Sequence, residues 1–293
     1  MDNFNYQEKL DKIITPKKDL VFKRIFGQKG NEEILKSFLE AILEIKIKSV
    51  NLDLNTEIVP EFYGKKASRV DVRAKLEDGT EVNVEIQVNK NEYSEKRCLY
   101  YWSKLYSSKL IKGENYDTLN KVICIWIVDG EIYKHTPKFV TKWRIENEKY
   151  NTKGHFEELE ICVIELKKFR ESDKIKENVR DFWLAFIDYQ SKELVQMGCV
   201  NNEQIKKAQE ELEKIKANKD LRDALLAMDI ADHDYATAID NAKKEGRATG
   251  IEEGRAEVVK SMIKANMSIE QIVAITKLSR EEIEKIAKSE KLK

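Results

Sequence analysis

The chain has 293 residues, enough for about two domains at ~150 residues each. Hydrophobic residues make up 41% of it, which is enough for a real core. Charged residues make up 36%, with 53 Lys+Arg against 53 Asp+Glu, so a nucleic-acid role would rest on a local basic patch rather than on overall charge. Cys98, Cys124, Cys162 and Cys199 form no CxxC pair and are not spaced with the three histidines, which argues against a zinc site or a disulfide framework. Cys124 and Cys162 fall in apolar runs and read as buried thiols. There is no basic-then-apolar leader and no run of ~18 apolar residues, so the expectation is a protein of a reducing cytoplasm with no membrane partner.

In chain order, Thr15-Pro16 predicts a helix start, with Leu20, Phe22 and Phe26 as its apolar contacts and Gly27 as its end. Asn31 is the expected cap of a second helix, whose Ile34, Leu35, Phe38, Leu39, Ile42 and Leu43 follow helical spacing. Residues 47–54 read as a strand. Residues 69–76 and 81–88 alternate around Asp78-Gly79, a hairpin signal. A helix is expected over 92–111, then apolar strands over 122–128 and 159–166. This order predicts an α/β sandwich, a mixed sheet flanked by helices. The three prolines, Pro16, Pro60 and Pro137, all precede Glu171. Beyond it the chain reads as all-helical, with helices over 179–197, 202–217 and 220–242. Gly246, Gly250 and Gly254 then recur within a charged run, as a linker or as one face of a packed helix. The expected division is 1–170, 171–242 and 243–293, the last being a charged, glycine-containing linker with a small helical tail.

A three-residue loop, Glu77-Asp78-Gly79 with Gly79 left-handed, fixes the hairpin register. Ala74 then faces Val82, Val72 faces Val84 and Val70 faces Ile86, making an apolar face. Arg73 faces Asn83, Asp71 faces Glu85 and Arg69 faces Gln87, making a polar face. A two-residue loop would mix the two faces, which side-chain alternation disfavours. The preferred register sets two carboxylates opposite each other, which destabilises a sheet unless something offsets the repulsion. One answer is a divalent cation shared by Asp71 and Glu85, and oxygen ligands suit magnesium better than zinc. The other is a solvated face with cross-strand ion pairs to Arg69 and Arg73.

Ser68-Arg-Val-Asp-Val72 followed by Asn83-Val-Glu-Ile-Gln87 resembles the active-site hairpin of the Rpn family, the recombination-promoting nucleases or PD-(D/E)XK family transposases. Asp19-Leu-Val-Phe-Lys-Arg-Ile-Phe-Gly27 resembles that family's first-helix signature. Arg97, Tyr100-Tyr-Trp102, Leu105-Tyr106 and Lys112-Gly-Glu-Asn-Tyr116 resemble its later helix and turn. The resemblance covers roughly residues 12–168. It implies a restriction-endonuclease-like fold and Mg²⁺-dependent hydrolysis of DNA phosphodiester bonds, linked to recombination or mobile DNA. Asp71 and Glu85 would hold metal, and Gln87 stands where the broader superfamily usually has lysine. Glutamine can orient a water by hydrogen bonds but carries no charge. Asp19 is a candidate for a second contact to the site, or a first-turn carboxylate favoured by the helix dipole.

Arg97, Tyr101, Lys104 and Ser108 share one face of the 92–111 helix, a candidate phosphate-backbone contact alongside Arg69 and Arg73, or an ordinary solvated face. The tail, with Ile269, Ile272, Val273, Leu278, Ile283 and Ile286 as its expected core, reads as two short helices. Glu281, Glu282 and Glu284 suit a homo-oligomer contact better than a helix-turn-helix DNA reader. The competing function is a non-catalytic DNA- or protein-binding module on a nuclease-like fold.

Overall fold

The computed structural model describes residues 10–54, 57–58, 68–69, 71–87, 93–108, 110, 113, 115–146 and 156–291 (backbone alone for 57–58, 68–69 and 289–291). The chain divides into two compact units, 1–225 and 226–293.

In the first unit, helices α1 (Asp19–Phe26) and α2 (Glu32–Leu43) lead into β1 (Val50–Leu52), β2 (Glu57–Ile58), β3 (Ser68–Arg69), β4 (Val72–Leu76) and β5 (Glu81–Gln87). Then come α3 (Ser94–Ser107), β6 (Val122–Val128), β7 (Val140–Arg144) and β8 (Leu159–Glu165). The helices α4 (Leu166–Arg170), α5 (Val179–Asp188), α6 (Lys192–Asn201) and α7 (Glu203–Ala217) follow. Six strands form one mixed sheet in the order β1-β4-β5-β6-β8-β7. Strands β5, β6 and β8 run parallel, and α3 makes the crossover from β5 to β6. The other pairs in the sheet are antiparallel. The expected mixed sheet flanked by helices is therefore present, with β2 and β3 as a separate antiparallel pair.

The β4–β5 hairpin has the expected register, Val72↔Val84, Arg73↔Asn83 and Ala74↔Val82. Gly79 has φ +88°, a conformation that glycine adopts without steric cost, and its amide donates to Leu76 O at 3.1 Å. On the apolar face Val72, Ala74, Leu76, Val82, Val84 and Ile86 are buried with Ile123, Ile125 and Ile127. Helix α1 packs on β5 there, and α2 packs on β1. Arg69 differs from expectation: its backbone pairs with Glu57, not Gln87, so the β5 hairpin partner begins only at Val72. Val70 and its expected pairing with Ile86 lie outside the described residues.

Helix α1 starts at Asp19, three residues after Pro16, and its N-cap is Lys18. Tertiary contacts override the local signal. Thr15 and Lys17 are buried, and the Lys17 ammonium lies 2.9 Å from Asp129 and 3.4 Å from Asp188. Arg170 completes that cluster by pairing with both carboxylates. Helix α1 ends at Gly27 as expected. A Cβ there would stand 3.0 Å from Lys23 O and 3.3 Å from a Val72 methyl, so glycine permits the close approach of α1 to the start of β4. Asn31 does precede α2, but its side chain donates backward to Ile25 O at 2.9 Å and closes α1 instead. Phe22, Phe26, Phe38 and Trp183 join α1, α2 and α5 through ring centroids 4.6–5.9 Å apart. Such pairs contribute ~0.5–1.5 kcal/mol each beyond area burial. The same cluster turns Asp19 and Lys23 away from the core.

In the second unit, the later part of α8 (Lys219–Lys264) precedes α9 (Ile269–Thr276) and α10 (Arg280–Lys291). Ser268 and Gln271 form a capping box at α9. Val259, Ile272 and Ile283 form the small core, joined by Ile269, Val273, Leu278 and Ile286 as the sequence predicts. Gly246, Gly250 and Gly254 lie inside α8, and an added Cβ on any of them would meet nothing within 4 Å. The segment is helical, as the packed-helix reading expects, but its glycine face meets no neighbour. Replacing all three with alanine should add roughly 1 kcal/mol of helix propensity each and slow proteolysis between Lys243 and Glu257. An unchanged cleavage rate would mean that protease reaches this segment by a route other than unwinding of the helix.

Candidate active site

Asp71 sits at the bend just before β4, and Glu85 lies on the adjacent strand. Strand pairing gives way here to side-chain links that continue the register. The Asp71 amide donates to Glu85 Oε1 at 3.2 Å, and the Ile86 amide donates to Asp71 Oδ2 at 2.7 Å. Asn83 Nδ2 reaches the same Glu85 oxygen at 3.5 Å. Glu85 Oε2 is buried and has no hydrogen-bond partner among the described residues. A buried carboxylate oxygen without a partner costs free energy, on the order of 1–3 kcal/mol or more.

Both side chains are buried: Asp71 is 7% exposed and Glu85 1%. Burial, then the charge of Asp19, pushes Asp71 up to about 7, against the stabilising hydrogen bond from Ile86. Burial, then the charge of Asp71, pushes Glu85 up to about 8, against the Asp71 amide. Two carboxylates thus share a place that favours at most one negative charge.

Two helices each bring a cation to this pair. From α1, Lys23 Nζ lies 2.8 Å from Asp19 Oδ1 and 3.3 Å from Asp71 Oδ1. Burial would lower the Lys23 pKa, but the hydrogen bond it donates to Asp19 and the charges of Asp71 and Asp19 outweigh it and raise it. From α3, Arg97 donates to Gln87 Oε1 at 3.0 Å and to the Tyr101 hydroxyl at 3.2 Å. Its guanidinium also lies over the rings of Tyr101 and Trp126. Lys23 is the residue that sequence reasoning missed. Its signal was the Asp19–Lys23 spacing of four on one turn of α1, a helical neighbour pair.

The other candidates for DNA contact take different places. Arg73 is buried and pairs with Glu81 at 2.9 Å and Asp53 at 3.3 Å, so its guanidinium is committed to holding the hairpin to the β1 side. Tyr101 is 8% exposed and packs against Trp126, and Arg97 turns inward to Gln87. The expected phosphate-facing side of α3 is therefore the side that covers the sheet, with Cys98, Tyr101 and Leu105 against Val122, Cys124 and Trp126. Lys104 is half-buried beside Tyr100. The Arg69 side chain lies outside the described residues. Far from being solvated, the polar hairpin residues Asp71, Arg73, Asn83 and Glu85 are buried, while α3 packs on the neighbouring β6 and reaches the hairpin through Arg97 and Gln87.

A cleft of about 110 Å³ opens beside Asp71, lined also by Lys23, Asp53 and Leu54 but not by Glu85. A wider groove of about 760 Å³, between the segments 131–140 and 168–180, contains neither Asp71 nor Glu85. Among the described residues, no three His, Cys, Asp or Glu side chains gather to hold a metal by themselves.

The family model of PD-(D/E)XK nuclease family transposases matches residues 16–242, well over half of the chain. The chain belongs to this family. The match takes in α1, the hairpin and α3, so every residue around the paired carboxylates lies inside it. No curated protein and no solved structure matches the chain. The nuclease-family membership agrees with the resemblance of the hairpin motif.

A carboxyl whose folded-state pKa is raised stabilises the fold fully below its unfolded value and loses that contribution as pH rises through the folded value. In EDTA, the wild-type protein should therefore lose stability between about pH 5 and pH 9 relative to Asp71→Asn, by on the order of 1 kcal/mol per unit of pKa shift. Urea unfolding across that range checks this, and parallel pH profiles for the two proteins would count against the buried like-charge pair.

Proposed function

We propose that this protein is a Mg²⁺-dependent DNA endonuclease, acting on DNA in the cytoplasm in recombination or on mobile elements. The observation that carries this reading is the Asp71–Glu85 pair: two buried carboxylates, one with an oxygen that has no hydrogen-bond partner among the described residues. That donor set fits a hard divalent cation. Two carboxylates suit Mg²⁺, which keeps several waters and binds phosphate oxygens. Bound between Asp71 and Glu85, the ion would lower the pKa of a coordinated water and polarise the scissile phosphate.

The protein's own groups would do the rest. The amides of Asp71 and Ile86 hold one oxygen of each carboxylate, so the other oxygen of each would be the one available to an ion. The Gln87 amide, fixed by Arg97, would orient the attacking water, since glutamine can donate and accept but cannot supply charge. The helical tail, with Arg280–Glu284 and Arg280–Glu270 pairs on its surface, suits self-association better than contact with phosphates.

Asp71→Ala or Glu85→Ala should abolish Mg²⁺-dependent plasmid nicking, because ion positioning and charge stabilisation are lost together. Metal-free thermal stability should change little, since the loss of a like-charge contact is set against the loss of the acceptor for the buried Ile86 or Asp71 amide. Gln87→Ala should still bind metal and cleave more slowly. Full nicking by the Asp71→Ala protein would sink the assignment. No nicking by wild type with Mg²⁺ would favour a non-catalytic DNA- or protein-binding module.

A further inference from the structure

Hydrolysis at this pair needs positive charge near the phosphate besides the ion, and position 87 offers none. Arg97 is a poor source. Its guanidinium is tied to Gln87 and Tyr101 and lies over two rings in the half-buried space under α3. Lys23 stands differently. Its side chain is 30% accessible, and together with Asp71 it lines the 110 Å³ cleft.

The Asp71 oxygens have separate partners. Oδ2 accepts from the Ile86 amide, and Oδ1 faces Lys23 Nζ at 3.3 Å. The oxygen left for an incoming ion is therefore the one that Lys23 holds. Lys23 also has a second anchor, with Nζ 2.8 and 3.0 Å from the two Asp19 oxygens. A divalent cation on Asp71 would repel the ammonium, while Asp19, 52% exposed on the first turn of α1, would keep it at the cleft.

We propose that Lys23 is the internal counter-ion of Asp71 in the metal-free protein. The divalent ion displaces it, and, tethered by Asp19, it then contacts the scissile phosphate as the cation that Gln87 cannot be. The phosphate contact rests on the nuclease reading; the exchange of Lys23 for metal does not. Helix α1 would thus do two tasks in sequence, neutralising the carboxylates before metal arrives and sharing the phosphate charge afterwards. A lysine offers a compact charge that can move between such partners.

The test uses the full-length protein, with Mn²⁺ binding by calorimetry and nicking of supercoiled plasmid under single-turnover conditions. Lys23→Gln should bind Mn²⁺ roughly 3- to 10-fold more tightly, because a competing charge is gone, and should cleave about 100-fold more slowly. Lys23→Arg, which keeps the charge and guards against a misfolded variant, should recover cleavage to within about tenfold of wild type. Equal or weaker Mn²⁺ binding by a folded Lys23→Gln protein would overturn the counter-ion exchange. Unchanged cleavage would overturn the phosphate contact. Tighter Mn²⁺ binding by Lys23→Gln, in a protein whose wild type never nicks DNA, would refute the nuclease reading and the phosphate contact while supporting the exchange.

Discussion

The rest of this molecule is arranged around the burial of two carboxylates side by side at one end of a mixed sheet. Burial alone disfavours ionising either of them; the charge of Asp19 raises Asp71 further, and the charge of Asp71 raises Glu85 further. A hydrophobic pair at the same positions would need no compensation. Here the chain supplies it piecemeal, with two backbone amides, one asparagine and one lysine, and still leaves Glu85 Oε2 without a partner. Such a place is built at a cost to stability, and buried polar groups of this kind concentrate where proteins act rather than where they merely fold.

Each neighbouring element can be read by what it contributes to that place. The Gly79 turn sets the register that brings positions 71 and 85 together. The aromatic cluster of Phe22, Phe26, Phe38 and Trp183 fixes the roll of α1, and Gly27 lets its end approach Val72, so Asp19 and Lys23 come to the edge of the hairpin. On the other side α3 lays Tyr101 and Cys98 on β6, beside β5, and holds Gln87 through Arg97. The buried Lys17–Asp129–Arg170–Asp188 cluster anchors the segment before α1, so the approach of that helix is not left to its own short length.

The hairpin was legible in the sequence because strand alternation and the Asp78-Gly79 turn are local signals that agree. The parallel strands over 122–128 and 159–165 were legible for the same reason, as apolar runs of strand length. What failed depends on distant residues. Pro16 did not begin a helix, because Lys17 is drawn into an ion cluster with residues more than a hundred positions away. The spacing of Arg97, Tyr101 and Lys104 correctly gave a helix face but could not say that Tyr101 packs on Trp126 and that Arg97 turns to Gln87. The polar hairpin face was expected to be solvated or metal-bound, and spacing could not reveal how deeply Asp71, Arg73, Asn83 and Glu85 are buried. Lys23 lay within a recognised motif, yet its relation to Asp71 exists only after α1 has docked.

The central claim is that Asp71 and Glu85 form a buried pair with raised pKa values which, on the proposed function, would take up a divalent ion in exchange for protons. Calorimetric titration of Mg²⁺ at pH 6.5, in buffers of different ionisation enthalpy, counts the protons released per ion bound. With both carboxyls raised to about 7 and about 8, binding should expel at least one proton per ion, and Asp71→Asn should diminish that release. Saturable Mg²⁺ binding with no proton release at pH 6.5 would contradict the account.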